Sequence, residues 1–186
     1  MLTYANQLTI LRMAFVPVFV LLLVYGYVGG GMLVFILAGV SDLLDGLLAR
    51  KLGQKTPLGT FLDPIADKLL LSSSFIVLSL ESVPLTMRVP LWLTITVIGR
   101  DILLVVSVLI INLTMGRRIF NPSVFGKATT LFQLLTVFLV LIGTYFRTQL
   151  PGFSAVVCAT LILTVVSGLH YLAKGMKAIE CDREEV

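Results

Sequence analysis

Four aspartates lie close together in the sequence at the edges of strongly apolar runs: Asp42, Asp45, Asp63 and Asp67. The first two are three residues apart and the last two are four apart, so each pair shares one face of a helix. Two such faces brought together give four carboxylates that repel one another unless cations intervene. Oxygen-only ligands suit Mg²⁺, Mn²⁺ or Ca²⁺ better than zinc or copper, so the spacing predicts a divalent-cation site.

The residues around these acids are suited to binding a phosphate group. Gly46 follows the first acidic pair directly and Gly59 precedes the second pair, and a glycine lets a phosphate or another backbone approach closely. The guanidinium of Arg50 can donate two hydrogen bonds to phosphate oxygens. Together these features indicate a pyrophosphate site. The alternative, a solvated interfacial loop, accounts for Arg50 but not for the more deeply placed Asp42 and Asp67.

The elements that must position these residues are membrane helices. The chain has 186 residues, of which 58% are hydrophobic and 13% are charged, and its mean hydropathy is +1.03. A soluble domain has roughly a quarter of its residues charged. The composition therefore predicts an all-α integral membrane protein with one domain over residues 1–186. The net charge of +4 is explained by its position along the chain, and no nucleic-acid partner is predicted.

Six apolar stretches are long enough to cross a bilayer core, which takes about 20 helical residues. The predicted spans are Leu8–Val28, Gly31–Leu48, Leu58–Leu80, Val89–Leu113, Phe125–Tyr145 and Phe153–Ala173. The segments "YGYVGGG" and "KLGQKTP" are predicted to form the first two turns. Pro17 lies inside the first span and is expected to kink it, which neighbouring helices can accommodate.

Basic residues are concentrated on one side of this predicted six-helix bundle. The opposite loops offer only Arg88 and Arg147. The side that carries both termini would hold Arg50, Lys51, Lys55, Arg117, Arg118, Lys127, Lys174, Lys177 and Arg183. The positive-inside rule makes that side, and hence both termini, cytoplasmic. The four aspartates then lie in the cytoplasmic third of the membrane, on either side of one short loop.

The spaced residues around the acids resemble the signature of the CDP-alcohol phosphatidyltransferases. The positions that match in type and spacing are Asp42, Asp45, Gly46, Ala49, Arg50, Gly59, Asp63 and Asp67. The flanking "ANQLTILRMAFVPVF" and "LDPIADKLL" are similar to the anionic-phospholipid branch of that family, so the likeness covers most of the chain. The resemblance implies a lipid-embedded bundle of six transmembrane helices, a homodimer, and a cytoplasm-facing site in a bacterial inner membrane.

The resemblance also implies a reaction and a set of metal ligands. CDP-diacylglycerol would react with a glycerol-containing alcohol and release CMP, with two divalent cations, Mg²⁺ or Mn²⁺, as cofactors. Asp42, Asp45 and Asp63 resemble the metal ligands of the family. Asp67 resembles the general base that takes the proton of the acceptor hydroxyl, and it can also touch a metal.

The same resemblance assigns the residues between the acids to the nucleotide. Gly46, Ala49 and Arg50 resemble the positions that contact CDP, and Gly59 resembles the glycine that allows close approach. Farther along, Arg100 stands beside Asp101 within an apolar run. We predict that Arg100 binds the acceptor rather than serving only as an ion pair with its neighbour.

Lys127 is the second candidate for binding the acceptor. Synthases that use glycerol 3-phosphate typically show an arginine–glutamate pair, a further arginine soon after it, and a Gly-Lys-x-Lys-Thr stretch. This chain has "GRD" and "GKATT", with no arginine between Arg100 and Arg117. Those departures resemble the cardiolipin synthases of the superfamily and favour phosphatidylglycerol as acceptor. Glycerol 3-phosphate is the alternative, inositol and serine stay open, and Arg117 and Arg118 can be simple membrane anchors.

A divalent-cation transporter is the alternative from a different class of protein, because acids inside a membrane also mark ion pathways. Transport predicts acids distributed through the depth of the membrane. Here they cluster on one side, and Gly46 and Arg50 would have no function in transport. The sequence therefore favours the transferase.

Overall fold

The computed structural model describes the backbone of residues 4–52, 57–115 and 124–184, and the side chains of residues 9–42, 65–107 and 126–173. Within those ranges the chain forms six helices and no strand. They are α1 (Tyr4–Val24), α2 (Val28–Leu52), α3 (Pro57–Ser79), α4 (Leu91–Met115), α5 (Val124–Tyr145) and α6 (Phe153–Glu184). This confirms the predicted all-α fold, with one helix for each predicted span.

The helix boundaries differ from the predicted spans mainly where the chain leaves an apolar run. α2 begins at Val28, so the predicted turn "YGYVGGG" is reduced to Tyr25–Tyr27, and the three glycines at 29–31 lie in the helix. α6 continues past Ala173 to Glu184, because hydropathy predicts membrane-crossing length rather than helix length. α1 runs without interruption through Pro17.

Two helices end in the same kind of turn, which sets where the chain reverses. Gly26 follows α1 with φ 81°, and Arg147 follows α5 with φ 52°. In each turn the next residue donates back into the last helical turn, Tyr27 N to Leu22 O at 2.8 Å and Thr148 N to Gly143 O at 2.9 Å. This is the Schellman arrangement, which satisfies carbonyls at a helix end. Glycine is suited to this conformation, whereas Arg147 adopts it as a non-glycine residue.

Two of the described helical segments are long and apolar enough to cross a membrane, Gly126–Tyr145 and Phe153–Ala173. Thr9–Val24 and Val28–Asp42 are shorter apolar segments. Large apolar side chains are exposed along several helices, for example Leu21, Ile95, Leu131 and Ile162. Exposed apolar faces of this kind are expected of helices that contact lipid. Six membrane crossings and two cytoplasmic termini stay predictions.

Contacts within the chain define two compact units. Unit 1 contains Met1–Val89 and Val137–Leu150, and unit 2 contains Pro90–Thr136 and Pro151–Val186. Residues 124–136 of α5 thus belong to unit 2 and residues 137–145 to unit 1. The expectation of a single domain over residues 1–186 stays a prediction.

Unit 1 is organised around α1, which packs against both α2 and α3. The rings of Phe19 and Phe35 join α1 to α2, with centroids 5.8 Å apart. Gly31 allows this close approach, because a Cβ atom there would come within 2.8 Å of the side chain of Leu23. The buried part of α3 continues the same apolar core with Leu70, Phe75, Val77 and Leu78.

Unit 2 has a more polar core. α4 packs against α6, and Thr160, Thr164 and Ser167 form a fully buried line at helical spacing on α6. On α5 the hydroxyl of Thr129 donates to Leu163 O at 3.0 Å. This side-chain hydrogen bond joins α5 to α6, and bonds of this kind add specificity between helices in a lipid environment, where apolar packing alone gives little.

Candidate active site

The four predicted acidic residues lie on neighbouring helices of unit 1. Asp42 and Asp45 are on α2, and Asp63 and Asp67 are on α3. α1 packs against both of these helices. The fold therefore gives the two acidic pairs a common neighbour in α1.

α2 extends farther than predicted and so carries the nucleotide candidates on the same helix as the first acids. The helix ends at Leu52, which places Gly46, Ala49 and Arg50 within it. Asp42, Gly46 and Arg50 follow one another at intervals of four residues and hence share a helical face. Gly59, in turn, lies in the first turn of α3.

Arg12 of α1 connects the two acid-bearing helices. Its side chain is fully buried, and its Nη1 donates a hydrogen bond to Asp67 Oδ1 at 2.7 Å. Nη2 of the same guanidinium forms an ion pair with Asp42 Oδ1 at 3.1 Å. The carboxylates themselves are accessible, with 47% of the Asp42 side chain and 43% of the Asp67 side chain exposed. The buried guanidinium of Arg12 thus contacts one acid of each predicted pair.

Sequence reasoning did not select Arg12 as a site residue. The signal was available, because "LTILRMAFVPVF" places an arginine inside an apolar helix. An ionisable residue in such a position is a candidate for a functional site, and its side chain is expected to face a partner. Spacing alone could not name that partner, since Asp42 and Asp67 lie far from Arg12 along the chain.

The remaining predicted residues of this site are placed by their backbone alone. The side chains of Asp45, Ala49, Arg50 and Asp63 lie outside the described ranges, and so do the surroundings of Gly46 and Gly59. Among the described side chains, no group of three or more acidic, histidine or cysteine residues lies together. That result includes only Asp42 and Asp67 of the four acids.

The described pair of acids is compatible with a divalent cation. Asp42 and Asp67 present carboxylate oxygens from two helices, and both oxygens lie within 3.1 Å of one guanidinium. Their side chains are about half-exposed, so a cation can reach them. A donor set made of carboxylate oxygens suits Mg²⁺ or Mn²⁺.

Arg100, the predicted acceptor residue, lies on α4 in unit 2 and is closely surrounded by polar partners. Nη1 donates to Asp101 Oδ1 at 2.7 Å, and Nη2 donates to Ser167 Oγ on α6 at 2.6 Å. The side chains of Arg100 and Asp101 are only 9% and 12% exposed. The ion pair between Arg100 and Asp101 is therefore present, and acceptor binding by Arg100 stays a prediction.

Two buried nitrogens in unit 2 have no hydrogen-bond partner among the described residues, Arg100 Nε and Gln133 Nε2. A buried donor without a partner is uncommon and calls for an explanation such as a ligand or a water. Lys127, the other predicted acceptor residue, is exposed on α5.

Comparison with known proteins identifies the family to which this site belongs. The family model for CDP-alcohol phosphatidyltransferase matches residues 2–168. The chain belongs to the CDP-alcohol phosphatidyltransferase family. Members are membrane-associated transferases of phospholipid biosynthesis that generally depend on divalent cations. This membership confirms the resemblance read from the spaced acids and favours a transferase over a transporter.

The relatives carry two kinds of name. A probable phosphatidylglycerophosphate synthase of Mycobacterium tuberculosis (strain H37Rv) is 34% identical over 94% of this chain and 82% of its own length. The CDP-diacylglycerol–glycerol-3-phosphate 3-phosphatidyltransferase of Bacillus subtilis is 28% identical over 97% of this chain and 98% of its own. A CMP-forming cardiolipin synthase of Streptomyces coelicolor is 37% identical over 76% of this chain and 65% of its own.

Proposed function

We propose that the protein transfers the phosphatidyl group of CDP-diacylglycerol to a glycerol-containing alcohol and releases CMP. The observation that carries this proposal is the pairing of Asp42 and Asp67 across one buried arginine. It brings together acids from both halves of the family signature and leaves their carboxylates accessible. Accessible carboxylates can bind a cation that arrives from solvent.

In this proposal Asp42, Asp45 and Asp63 hold two divalent cations, Mg²⁺ or Mn²⁺, and Asp67 can touch one of them. When bound, the cations offset the charge of the pyrophosphate, polarise the phosphorus and stabilise the CMP leaving group. Arg50 would donate to phosphate oxygens of the nucleotide.

The helix positions of Gly46, Ala49 and Gly59 would let CDP lie close to the backbone. Asp67 would accept the proton of the acceptor hydroxyl as the hydroxyl oxygen bonds to phosphorus. The bond between that phosphorus and the CMP oxygen then breaks, and CMP leaves with the electron pair. The chain's own contribution is positioning and one base, as in other phosphoryl transfers.

Phosphatidylglycerol is the acceptor that we favour, which would make the product cardiolipin. Glycerol 3-phosphate presents a dianionic phosphate that calls for several converging cations. Arg100 is already neutralised by Asp101, so it leaves little charge for a dianion. Its Nε still has no hydrogen-bond partner among the described residues, which suits one bond to a monoanionic phosphodiester. Lys127 can supply a second, exposed cation.

Glycerol 3-phosphate is the second candidate, supported by the extent of the matches. The relatives named for that acceptor align with 94% and 97% of this chain, whereas the cardiolipin synthase aligns with 76%. Their names therefore rest on a likeness that extends over nearly the whole chain.

Purified protein supplied with CDP-diacylglycerol and one acceptor at a time tests this choice. We expect cardiolipin with phosphatidylglycerol, and less product with glycerol 3-phosphate, inositol phosphate or serine. Arg100→Ala should raise KM for the acceptor more than KM for CDP-diacylglycerol. Phosphatidylglycerophosphate formed without any cardiolipin would establish the second candidate and leave phosphatidyl transfer intact. Arg88→Ala, an exposed arginine outside the site, is the control.

The site is proposed to face the cytoplasm of a bacterial inner membrane, with the protein as a homodimer. A cysteine introduced at Gln54 should react with an impermeant thiol reagent only from the cytoplasmic face, because basic loops stay inside. The mass of the detergent-solubilised protein by light scattering should correspond to two chains. Labelling of Gln54→Cys from outside would reverse the orientation.

A further inference from the structure

Arg12 carries its charge in a fully buried position, where a charged group has a high desolvation cost. It has no exposed surface at all and is the largest fully buried side chain of the described residues. An ion removed from water in this way is tolerated only with close partners of opposite charge. Arg12 meets that requirement with carboxylates from two other helices rather than one from its own.

The geometry of the contact suits an arginine specifically. The two terminal nitrogens of the guanidinium reach different helices, Nη1 to Asp67 on α3 and Nη2 to Asp42 on α2. Because the guanidinium is planar and rigid, the separation of its nitrogens limits the separation of the two carboxylates. A lysine ammonium is a single point charge on a flexible stem and imposes no such distance.

Arg12 and its two acidic partners differ in their exposure to solvent. Arg12 is 0% exposed, whereas Asp42 and Asp67 are 47% and 43% exposed. The arginine therefore contacts the acids from the protein interior while the same acids remain open to a ligand. Because both carboxylates are still accessible to solvent, each can bind a further ligand while it pairs with Arg12.

We propose that Arg12 is a positioning residue that fixes Asp42 and Asp67 relative to each other, so that the cation-binding acids of α2 and α3 are arranged before metal and substrate arrive. This inference rests on the proposed cation-dependent function. Partners that orient metal-ligating carboxylates typically contribute about 10–100-fold to metal affinity. Arg12 also offsets one negative charge among acids that would otherwise repel one another.

The test measures Mn²⁺ binding without any substrate. Arg12→Lys keeps the charge and loses the fork, Arg12→Met loses both, and Arg88→Met removes an exposed arginine as the matched control. Free Mn²⁺ is titrated by electron paramagnetic resonance against each variant in detergent, with size-exclusion profiles reporting the folded state. We expect Mn²⁺ affinity to fall by about 10–100-fold in Arg12→Lys and at least as far in Arg12→Met. Arg88→Met should bind like the wild type.

A second measurement separates positioning from folding. The Mn²⁺ concentration that half-activates CMP release should rise in Arg12→Lys by the same factor as the dissociation constant. Wild-type Mn²⁺ affinity in folded Arg12→Lys would overturn the role of Arg12 and leave the proposed function standing. Loss of folded protein in both variants, with and without Mn²⁺, would make Arg12 a structural residue and also overturn it. A wild-type protein that binds no Mn²⁺ would refute the cation-dependent function itself.

Discussion

Arg12 in unit 1 is fully buried and Arg100 in unit 2 is nearly so, both on apolar helices, but their surroundings differ. Arg12 pairs with two aspartates from two other helices, and both aspartates are about half-exposed. Arg100 pairs with its sequence neighbour Asp101, which is only 12% exposed, and with a buried serine. In the first case the acids stay available for further ligands, and in the second the polar groups mainly satisfy one another.

This difference shows that a charge inside an apolar helix has no single meaning. A buried arginine needs a partner in either case. What distinguishes a reactive site is the accessibility of that partner and its origin on another element. By this criterion the acids of unit 1 are the candidates for chemistry, while the Arg100–Asp101–Ser167 group joins α4 to α6.

The cores of the two units differ in the same sense. Unit 1 is built from apolar side chains such as Phe19, Leu23 and Phe75. In unit 2, Thr136 Oγ1 and Thr160 Oγ1 share a buried hydrogen bond at 2.9 Å between α5 and α6. An apolar core around a few charged groups lowers the local dielectric and strengthens their interactions. A core with hydrogen-bonded hydroxyls is instead stabilised by many small contributions from the individual hydrogen bonds.

The strongest test of this comparison removes a cation ligand from unit 1. We expect CMP release to stop in EDTA and to return with Mg²⁺ or Mn²⁺, because carboxylates alone cannot neutralise a pyrophosphate. Asp63→Ala should lower turnover beyond the about 10²–10⁴-fold expected for loss of a general base. The measurement is cation-dependent CMP release from CDP-diacylglycerol.

Glu81→Ala provides the control, since Glu81 is an exposed acid in the loop after α3. It should leave turnover unchanged. Full activity in metal-stripped wild-type protein would remove the distinction between the two units, because the accessible acids would then have no cation to bind.

A smaller effect is expected when Asp67 changes without losing its shape. In Asp67→Asn the amide oxygen can still accept the hydrogen bond from Arg12, but the side chain no longer takes a proton. Turnover should fall by about 10²–10⁴-fold, while CDP-diacylglycerol binding stays close to wild type. Rate and binding are compared in the same preparation, with Asp45→Asn alongside. If Asp67→Asn loses nucleotide binding as severely as Asp45→Asn does, Asp67 is chiefly a metal ligand.

Much of this architecture follows from local sequence pattern. The six helices follow from apolar run length, and the position of each acidic pair on a single helix follows from spacings of three and four residues. The bridge from Arg12 could not be predicted, because it depends on how α1 packs against α2 and α3. The contact between Arg100 and Ser167 was likewise hidden by a separation of 67 residues. Periodicity predicts which face of its own helix a residue occupies. Tertiary packing decides which residues of other helices lie against that face.

The smallest expected effect belongs to Ser167, whose hydroxyl accepts a hydrogen bond from Arg100 Nη2 at 2.6 Å. Ser167→Ala removes one acceptor but leaves the ion pair with Asp101. We expect a loss of about 0.5–2 kcal/mol in the free energy of unfolding, measured in detergent. Ser107→Ala is the matched control, because its hydroxyl donates within α4 to Leu103 O. Mn²⁺ affinity should stay at its wild-type value in both variants, since neither serine contributes to the Arg12 bridge. A fall in Mn²⁺ affinity in Ser167→Ala as large as that expected for Arg12→Lys would show that the two buried arginines serve one site, and the contrast between the units would fail.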